Sequence, residues 1–289
     1  MLEANTVLNI DCLEGIKKLE DKSVDLIFTD LPYGTTNCDW DSLIPLNDFV
    51  VINNKILFEK EYLLHCFQHE NKTFEYCKEW FKANKQIGLW SHYERIIKDN
   101  GAIALWAQSP FDKTLVSSNE KLYRYEWVIE KTKATGHLNA KKMPMKAHES
   151  ILIFYKRLPK YNPQMTDGHS PVHSYTKHTT DGNCYGSTKV GISGGGSTKR
   201  YPRDVLSFSW DTQKCSLHNC QKPVDACEYI IKTYTDKDDL VFDSCGGSMS
   251  TAIAAFNTGR KYICMEKDEE IFEIGKTRIE AASKTVVLQ

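Results

Sequence analysis

The 289-residue chain holds ten cysteines but no Cys-x-x-Cys pair. It is too long and too rich in core-forming residues to need disulfides as a scaffold. Cys215, His218 and Cys220 form one dense group, but tetrahedral zinc needs four ligands and no fourth stands nearby. No metal site is expected, and the cysteines read as reduced, mostly buried thiols. No apolar run approaches the roughly 18 residues that cross a bilayer. The opening Met1-Leu2-Glu3-Ala4-Asn5 lacks the basic and apolar segments of a secretory signal, so a cytoplasmic location is the expectation. There is no internal repeat. The nucleotide-gripping patterns Gly-x-Gly-x-x-Gly and Gly-x-x-x-x-Gly-Lys-Ser/Thr are also missing, which argues against dinucleotide and phosphate-loop sites.

Net charge is nearly absent too, at −1, so the protein is not basic all over. The charge is nevertheless uneven. From Lys121 to Arg203 there are fifteen Lys/Arg against five Asp/Glu. Lys131, Lys133, Lys141, Lys142, Lys146, Lys199, Arg200 and Arg203 are the candidates for phosphate contacts. A solvated basic surface accounts for the same charge equally well.

What is present is an alternation of short β-branched runs with amphipathic stretches, the pattern of βα units around a mainly parallel sheet. Seven strands are expected: Thr6–Ile10, Val24–Thr29, Ala102–Ala107, Tyr125–Glu130, Glu149–Tyr155, Leu240–Phe242 and Lys261–Met265. Tyr125–Glu130 and Glu149–Tyr155 can pair antiparallel. Helices are expected up to Leu19, over Leu89–Lys98 with a stop at Asn100-Gly101, over Ser250–Asn257, and from Glu269 to about Ala281. Residues 51–86 read as a helical insertion. Residues 160–203, with Pro163, Gly168, Gly182, Gly186 and Gly194-Gly195-Gly196, read as an irregular, loop-rich lobe.

Three segments carry chemistry. Asp30-Leu31-Pro32-Tyr33-Gly34 follows directly on the strand Val24–Thr29, where ligands of an open parallel sheet bind. An exocyclic amine is a poor nucleophile, because its lone pair is delocalised into the ring. Two acceptors that grip its N–H groups, the Asp30 carboxylate and the Leu31 carbonyl, would free that lone pair for attack on a methyl sulfonium. Tyr33 could stack on a base turned out of the duplex, as such chemistry requires. By local chemistry alone, a strand-to-loop turn with a capping acid is the simpler account. Leu240–Thr251 is a strand, a small-residue turn at Asp243–Ser248 and a helix start, suited to close binding of a ligand. Glu266, at the end of the following strand, is placed to bind ribose hydroxyls. Finally, His218-Asn219-Cys220-Gln221-Lys222-Pro223 puts a proline at the first position of a helix, with Lys222 beside it.

Together these segments resemble the β-type amino-methyltransferases of DNA along most of the chain. Their Asp-Pro-Pro-Tyr motif stands here as Asp30-Leu31-Pro32-Tyr33, and Gly34–Asp41 is similar to a subgroup of adenine enzymes from phages and restriction-modification systems. Their His-Pro-x-Gln-Lys-Pro motif is matched by His218, Gln221, Lys222 and Pro223. Their cofactor loop is matched by Asp243, Gly247, Ser248 and Thr251, with Ser244 and Ser250 in the same turn. Asp11-Cys12 is similar to the strand end that contacts the cofactor's adenine. The resemblance implies an α/β, Rossmann-like, seven-stranded, mainly parallel sheet with one antiparallel strand. Its motif order is circularly permuted, and a loop-rich recognition lobe is inserted. It divides the chain into a catalytic half (1–156), a target-recognition region (157–210) and a cofactor-binding half (211–289). It implies S-adenosyl-L-methionine as cofactor and double-stranded DNA as substrate. A cognate restriction endonuclease and a homodimer are partners to be tested.

Asp at position 30 favours adenine N6 as target. Cytosine N4, RNA, a protein side-chain amide and a catalytically impaired DNA-binding relic are the alternatives. Two departures from the family pattern stand out. Leu31 replaces a proline and loosens the φ restraint on the acceptor carbonyl. Met249 replaces a glycine, and its side chain is expected to crowd the cofactor.

Overall fold

The computed structural model describes residues 2–34, 41–69, 72–177, 190–209 and 221–287. In chain order its elements are β1 (Thr6–Asn9), α1 (Cys12–Gly15), β2 (Val24–Thr29), β3 (Phe49–Ile52), β4 (Lys55–Phe58), α2 (Glu59–His69), α3 (Phe74–Asn84), α4 (Leu89–Ile96), β5 (Ile97–Ala107), α5 (Phe111–Ser118), β6 (Tyr123–Thr135) and β7 (Lys146–Phe154). There follow β8 (Tyr175–Thr176), β9 (Ser193–Gly194), β10 (Val205–Phe208), α6 (Val224–Tyr234), β11 (Leu240–Asp243), α7 (Ser250–Asn257), β12 (Lys261–Glu266) and α8 (Glu269–Val287).

The main sheet has the order β1-β12-β11-β2-β5-β7-β6-β10. Every neighbouring pair is parallel except the two made by β7, which is the one reversed strand. Thus β6 and β7 pair antiparallel, as the sequence suggests. The sheet has eight strands rather than seven. The extra one, β10, is a four-residue edge strand with alternate residues exposed, too short to stand out in sequence.

Both faces are covered, as a parallel sheet requires. Ala102, Ala104 and Trp106 of β5 point to one face, where α6, α7 and α8 pack. Ile103, Leu105 and Ala107 point to the other, against α4 and α5. Two local expectations change. The fourth helix ends at Ile96, and Asn100-Gly101 lies inside β5. There a Cβ on Gly101 would meet the Asp25 carbonyl at 2.7 Å, so this glycine serves close strand approach instead of a helix stop. The insertion expected to be helical opens with the β3–β4 hairpin before α2 and α3, and it has its own small core around Tyr62, Cys66, Cys77 and Phe81.

Contacts divide the chain into two compact units, Met1–Asn162 with Asp204–Gln289, and Pro163–Arg203. The smaller unit is built on the two-residue pairing β8–β9 and a bridge between Thr166 and Arg200. Among the described residues, no helix is long and apolar enough to cross a membrane, and no cluster of His, Cys, Asp and Glu could hold a metal ion.

Candidate active site

The parallel strands of the larger unit end along one edge of the sheet, where a cavity of about 500 Å³ opens. That volume suits a nucleoside-sized ligand. All four residues of the tetrapeptide Asp30-Leu31-Pro32-Tyr33 line it. The Leu31 side chain is buried in the core below, which leaves its backbone to face the site. The Tyr33 hydroxyl donates to Asp30 Oδ1 at 2.8 Å, and its ring is backed by Phe111 at 4.9 Å between centroids. Asp41 fixes the turn by accepting from the backbone N–H groups of Tyr33 and Gly34 at 2.8 and 2.9 Å. Residues 35–40, part of the motif's extension, lie outside the described residues.

The turn after β11 forms the second wall. Asp243 Oδ1 accepts from the Thr29 hydroxyl at 2.7 Å and from the Cys245 N–H at 3.0 Å. Burial pushes its carboxyl up to about 6, and the Thr29 hydrogen bond only partly offsets this. Ser244 hydrogen-bonds the Tyr93 hydroxyl at 2.6 Å. Both side chains are thereby committed to shaping the turn. Gly247 has φ +50° and donates to Glu266 Oε2 at 2.9 Å, while Asp268 N–H donates to Glu266 Oε1 at 2.9 Å. The acid at the end of β12 is thus held facing the glycine turn. Ser248 and Ser250 line the cavity as well, held from behind by the Arg278 guanidinium of α8.

Met249 does not crowd the site. Its backbone takes the left-handed region (φ 60°), and its side chain turns into the core against Gly246 and Gly275. A Cβ on Gly275 would lie 2.6 Å from Met249 Cγ, so α8 leaves a place for this side chain.

At the third wall Asp11 caps α1 through the Leu13 N–H at 2.9 Å and lies 3.2 Å from Lys267 Nζ, with Cys12 beside it. Lys222 reaches the centre. Its ammonium lies 3.0 Å from Asp30 Oδ2 and 2.7 Å from Glu149 Oε2, above the rings of Trp106 and Tyr33. Pro223 caps α6 in extended backbone, one residue before the helix begins. Gln221 is buried outside the cavity lining. His218, along with Cys215 and Cys220, lies outside the described residues.

One expected phosphate contact is overturned. Lys131 is not on the surface: its side chain is 8 % exposed, with its ammonium 2.6 Å from Glu149 Oε1. A buried carboxylate there takes the charge that the sequence reading gave to DNA. Lys133, Lys141, Lys142 and Lys146 are exposed, the last donating to Gln108 Oε1 at 2.9 Å. In the smaller unit Lys199 and Arg203 are exposed, while Arg200 donates to carbonyls of Ser170, Ser197 and Lys199.

Burial raises the Asp30 carboxyl above its usual range, against the pull of Lys222. Burial alone would lower the Lys222 ammonium, but Asp30 and Glu149 outweigh it and hold the group charged. Burial works to raise Glu149, and its two lysines reverse the sign. Glu149, Trp106, Tyr93 and Arg278 are the site residues that sequence reasoning missed. For Glu149 the available signal is an acid two residues before the apolar run Ile151–Phe154.

An acid, an aromatic ring and a glycine turn with a facing carboxylate are thus gathered at the open edge of a Rossmann-like sheet, where folds of this class bind their ligands. The family described as DNA methylase matches residues 24–277, and the chain belongs to it. It is 25 % identical over 275 residues to the type II methyltransferase M2.MboI of Moraxella bovis, covering 93 % of this chain and 85 % of that one. It is 24 % identical over 289 residues to the DNA adenine methyltransferase YhdJ of Escherichia coli K12, covering 97 % and 84 %. Among solved structures, its fold is similar to that of the PvuII cytosine-N4-specific DNA methyltransferase (TM-score 0.57, 16 % identity, 98 % and 92 % covered). It is also similar to M1.HpyAVI in complex with SAM (TM-score 0.52, 18 % identity, 94 % and 98 % covered).

Proposed function

We propose that this protein transfers the methyl group of S-adenosyl-L-methionine to the N6 amine of adenine in double-stranded DNA. The observation that carries this reading is the single cavity in which Asp30 and Tyr33 meet the Gly247 turn and Glu266. The residues fit the cofactor. Glu266 keeps acceptor capacity on both oxygens for ribose hydroxyls, and a Cβ on Gly247 would meet nothing within 4 Å, so the turn leaves room for close approach. When bound, the cofactor supplies an electrophilic methyl on a sulfonium.

The chain's own residues do the rest. Asp30 Oδ and the Leu31 carbonyl accept the two N–H groups of the amine and turn its lone pair out of the ring plane. Tyr33, braced by Phe111, offers a ring for stacking against a flipped base. The proton released by the methylated amine passes to the Asp30 carboxylate or to water, and burial makes that carboxylate a better acceptor.

We assign target recognition to residues 157–210 and backbone contacts to Lys133, Lys141, Lys142, Lys146, Lys199 and Arg203. The protein works in the cytoplasm on this reading, and a homodimer and a cognate endonuclease complete it. The test is methylation of unmodified genomic DNA by the purified protein, followed by mass spectrometry of the digested nucleosides. N6-methyladenine supports the reading. N4-methylcytosine alone would replace the target, and DNA binding without methyl transfer at saturating cofactor would leave only a binding protein.

A further inference from the structure

Beyond the tetrapeptide and the cofactor turn, the site contains a buried row of charges that neither accounts for. It runs Asp30 Oδ2 to Lys222 Nζ (3.0 Å), Lys222 Nζ to Glu149 Oε2 (2.7 Å), and Glu149 Oε1 to Lys131 Nζ (2.6 Å). The side chains of Lys222, Glu149 and Lys131 are 11, 10 and 8 % exposed, and Asp30, which opens on the cavity, is 26 % exposed. Two carboxylates and two ammoniums balance to zero. Breaking a buried pair by removing one partner is costly, because it strands the other charge.

The row bears on the reaction. As the amine attacks the methyl group it gains positive charge, so Asp30 must offer it both a lone pair and an undiminished negative charge. One Asp30 oxygen already accepts from the Tyr33 hydroxyl. An ammonium committed wholly to the other would quench the acceptor. Glu149 prevents this, since Lys222 makes its shorter contact there. Lys131 in turn balances Glu149, which would otherwise stand as a second negative charge beside Asp30.

We propose that Glu149, balanced by Lys131, is a positioning residue for methyl transfer that divides the Lys222 ammonium and so keeps Asp30 available to the target amine. This rests on the methyltransferase reading above. The groups facing Asp30 are Tyr33 of its own turn, Lys222 before α6, Glu149 of β7 and, from β11, Asp243. Glu149 is also paired with Lys131, so the charge facing Lys222 can be varied without substituting Asp30, Tyr33 or Asp243.

The experiment measures kcat, KM and the acid limb of the kcat–pH profile for wild type, E149Q, K131Q and the double variant, with DNA and S-adenosylmethionine as substrates. Removing the negative charge in E149Q leaves Lys222 wholly on Asp30. The expected result is a fall in kcat of tenfold or more, KM values within threefold of wild type, and an acid limb displaced to lower pH. Removing the positive charge in K131Q displaces the limb the other way. The double variant, neutral again, recovers at least threefold of the rate lost in E149Q. Limbs that stay put, or move in the same direction in both single variants, overturn the proposal, as does an unchanged kcat in E149Q. Should E149Q lack a cooperative melt, the K131Q limb decides alone. If wild type itself transfers no methyl group, the functional reading has failed rather than this one.

Discussion

Lys222 and Asp30, 192 positions apart in the chain, meet at 3.0 Å in the lining of the cavity. The contact joins the Asp30 turn after β2 to the segment that starts α6. It also couples the ionisation of Asp30 to groups on β6 and β7. Substituting Asp30→Asn keeps the shape but replaces one acceptor with a donor, which cannot grip an N–H. Methyl transfer should fall by about 10²–10⁴-fold, the usual range for a positioned proton-transfer group. Cofactor affinity by titration calorimetry should stay within a few-fold. In wild type, protonation of Asp30 removes the same acceptor. Because burial raises this carboxyl, kcat should decline on the acid side while ordinary carboxylates are still ionised. A flat profile down to pH 4 would remove Asp30 from its role.

Arg278 ties α8 to the turn after β11 through three contacts of 2.8–3.2 Å to Ser248 and Ser250. Arg278→Ala removes the guanidinium from both serines, leaving Ser250 its bond to the Lys222 carbonyl at 2.9 Å. The Kd for S-adenosylmethionine should rise at least about tenfold, as loss of one charge-assisted hydrogen bond costs roughly 1.5–3 kcal/mol. An unchanged Kd would show that the turn holds its form unaided.

Met249→Gly sets two effects against each other. Relief of the left-handed backbone is worth about 1–2 kcal/mol. Loss of a fully buried methionine side chain costs about 2–5 kcal/mol. Packing wins, and urea unfolding should show a net destabilisation of roughly 2 kcal/mol. A stabilised variant would mean that the side chain contributes little to the core.

Asp243 is nearly fully buried, with a carboxyl raised to about 6 from an ordinary 3.8. The folded state therefore binds this proton more tightly than the unfolded one. Stability from this group is greatest below the unfolded value and is lost as pH rises through about 6. At neutral pH the cost approaches ~3 kcal/mol. In Asp243→Asn the amide oxygen can still accept from Thr29 and Cys245, so stability at pH 7.5 should rise, with less change between pH 4 and 6. Equal unfolding midpoints for the two proteins at pH 7.5 would contradict this.

Lys141 and Lys142 are exposed between β6 and β7, whereas Lys131 is buried against Glu149. K141Q/K142Q should weaken DNA binding and reduce the slope of log K against log salt by about 2, close to one for each phosphate contact. K131Q should leave that slope alone. The reverse outcome would return Lys131 to the DNA-binding set.

Much of the fold was legible because periodicity reports burial. β2 and α7 have the bounds that their patterns indicate, and the residues bracketing β11 and β12 already suggest the turn and its facing acid. Local signals misled where a residue had a second use. In sequence Gly101 reads as a helix stop, yet it permits close strand approach. In sequence Met249 reads as an obstacle, yet it fills the core.

The sequence by itself determined the order of the motifs, the class of sheet, and the acid, ring and glycine turn of the site, because each is written in neighbouring residues. Only the tertiary structure decided which charges share that site. β7 runs against its neighbours, so its first half, which carries Glu149, meets the edge where the parallel strands end. A reading that looks to strand ends for chemistry passes over it. Lys131 is basic like the lysines around it, and only packing separates a buried counter-charge from a lysine free to meet phosphate.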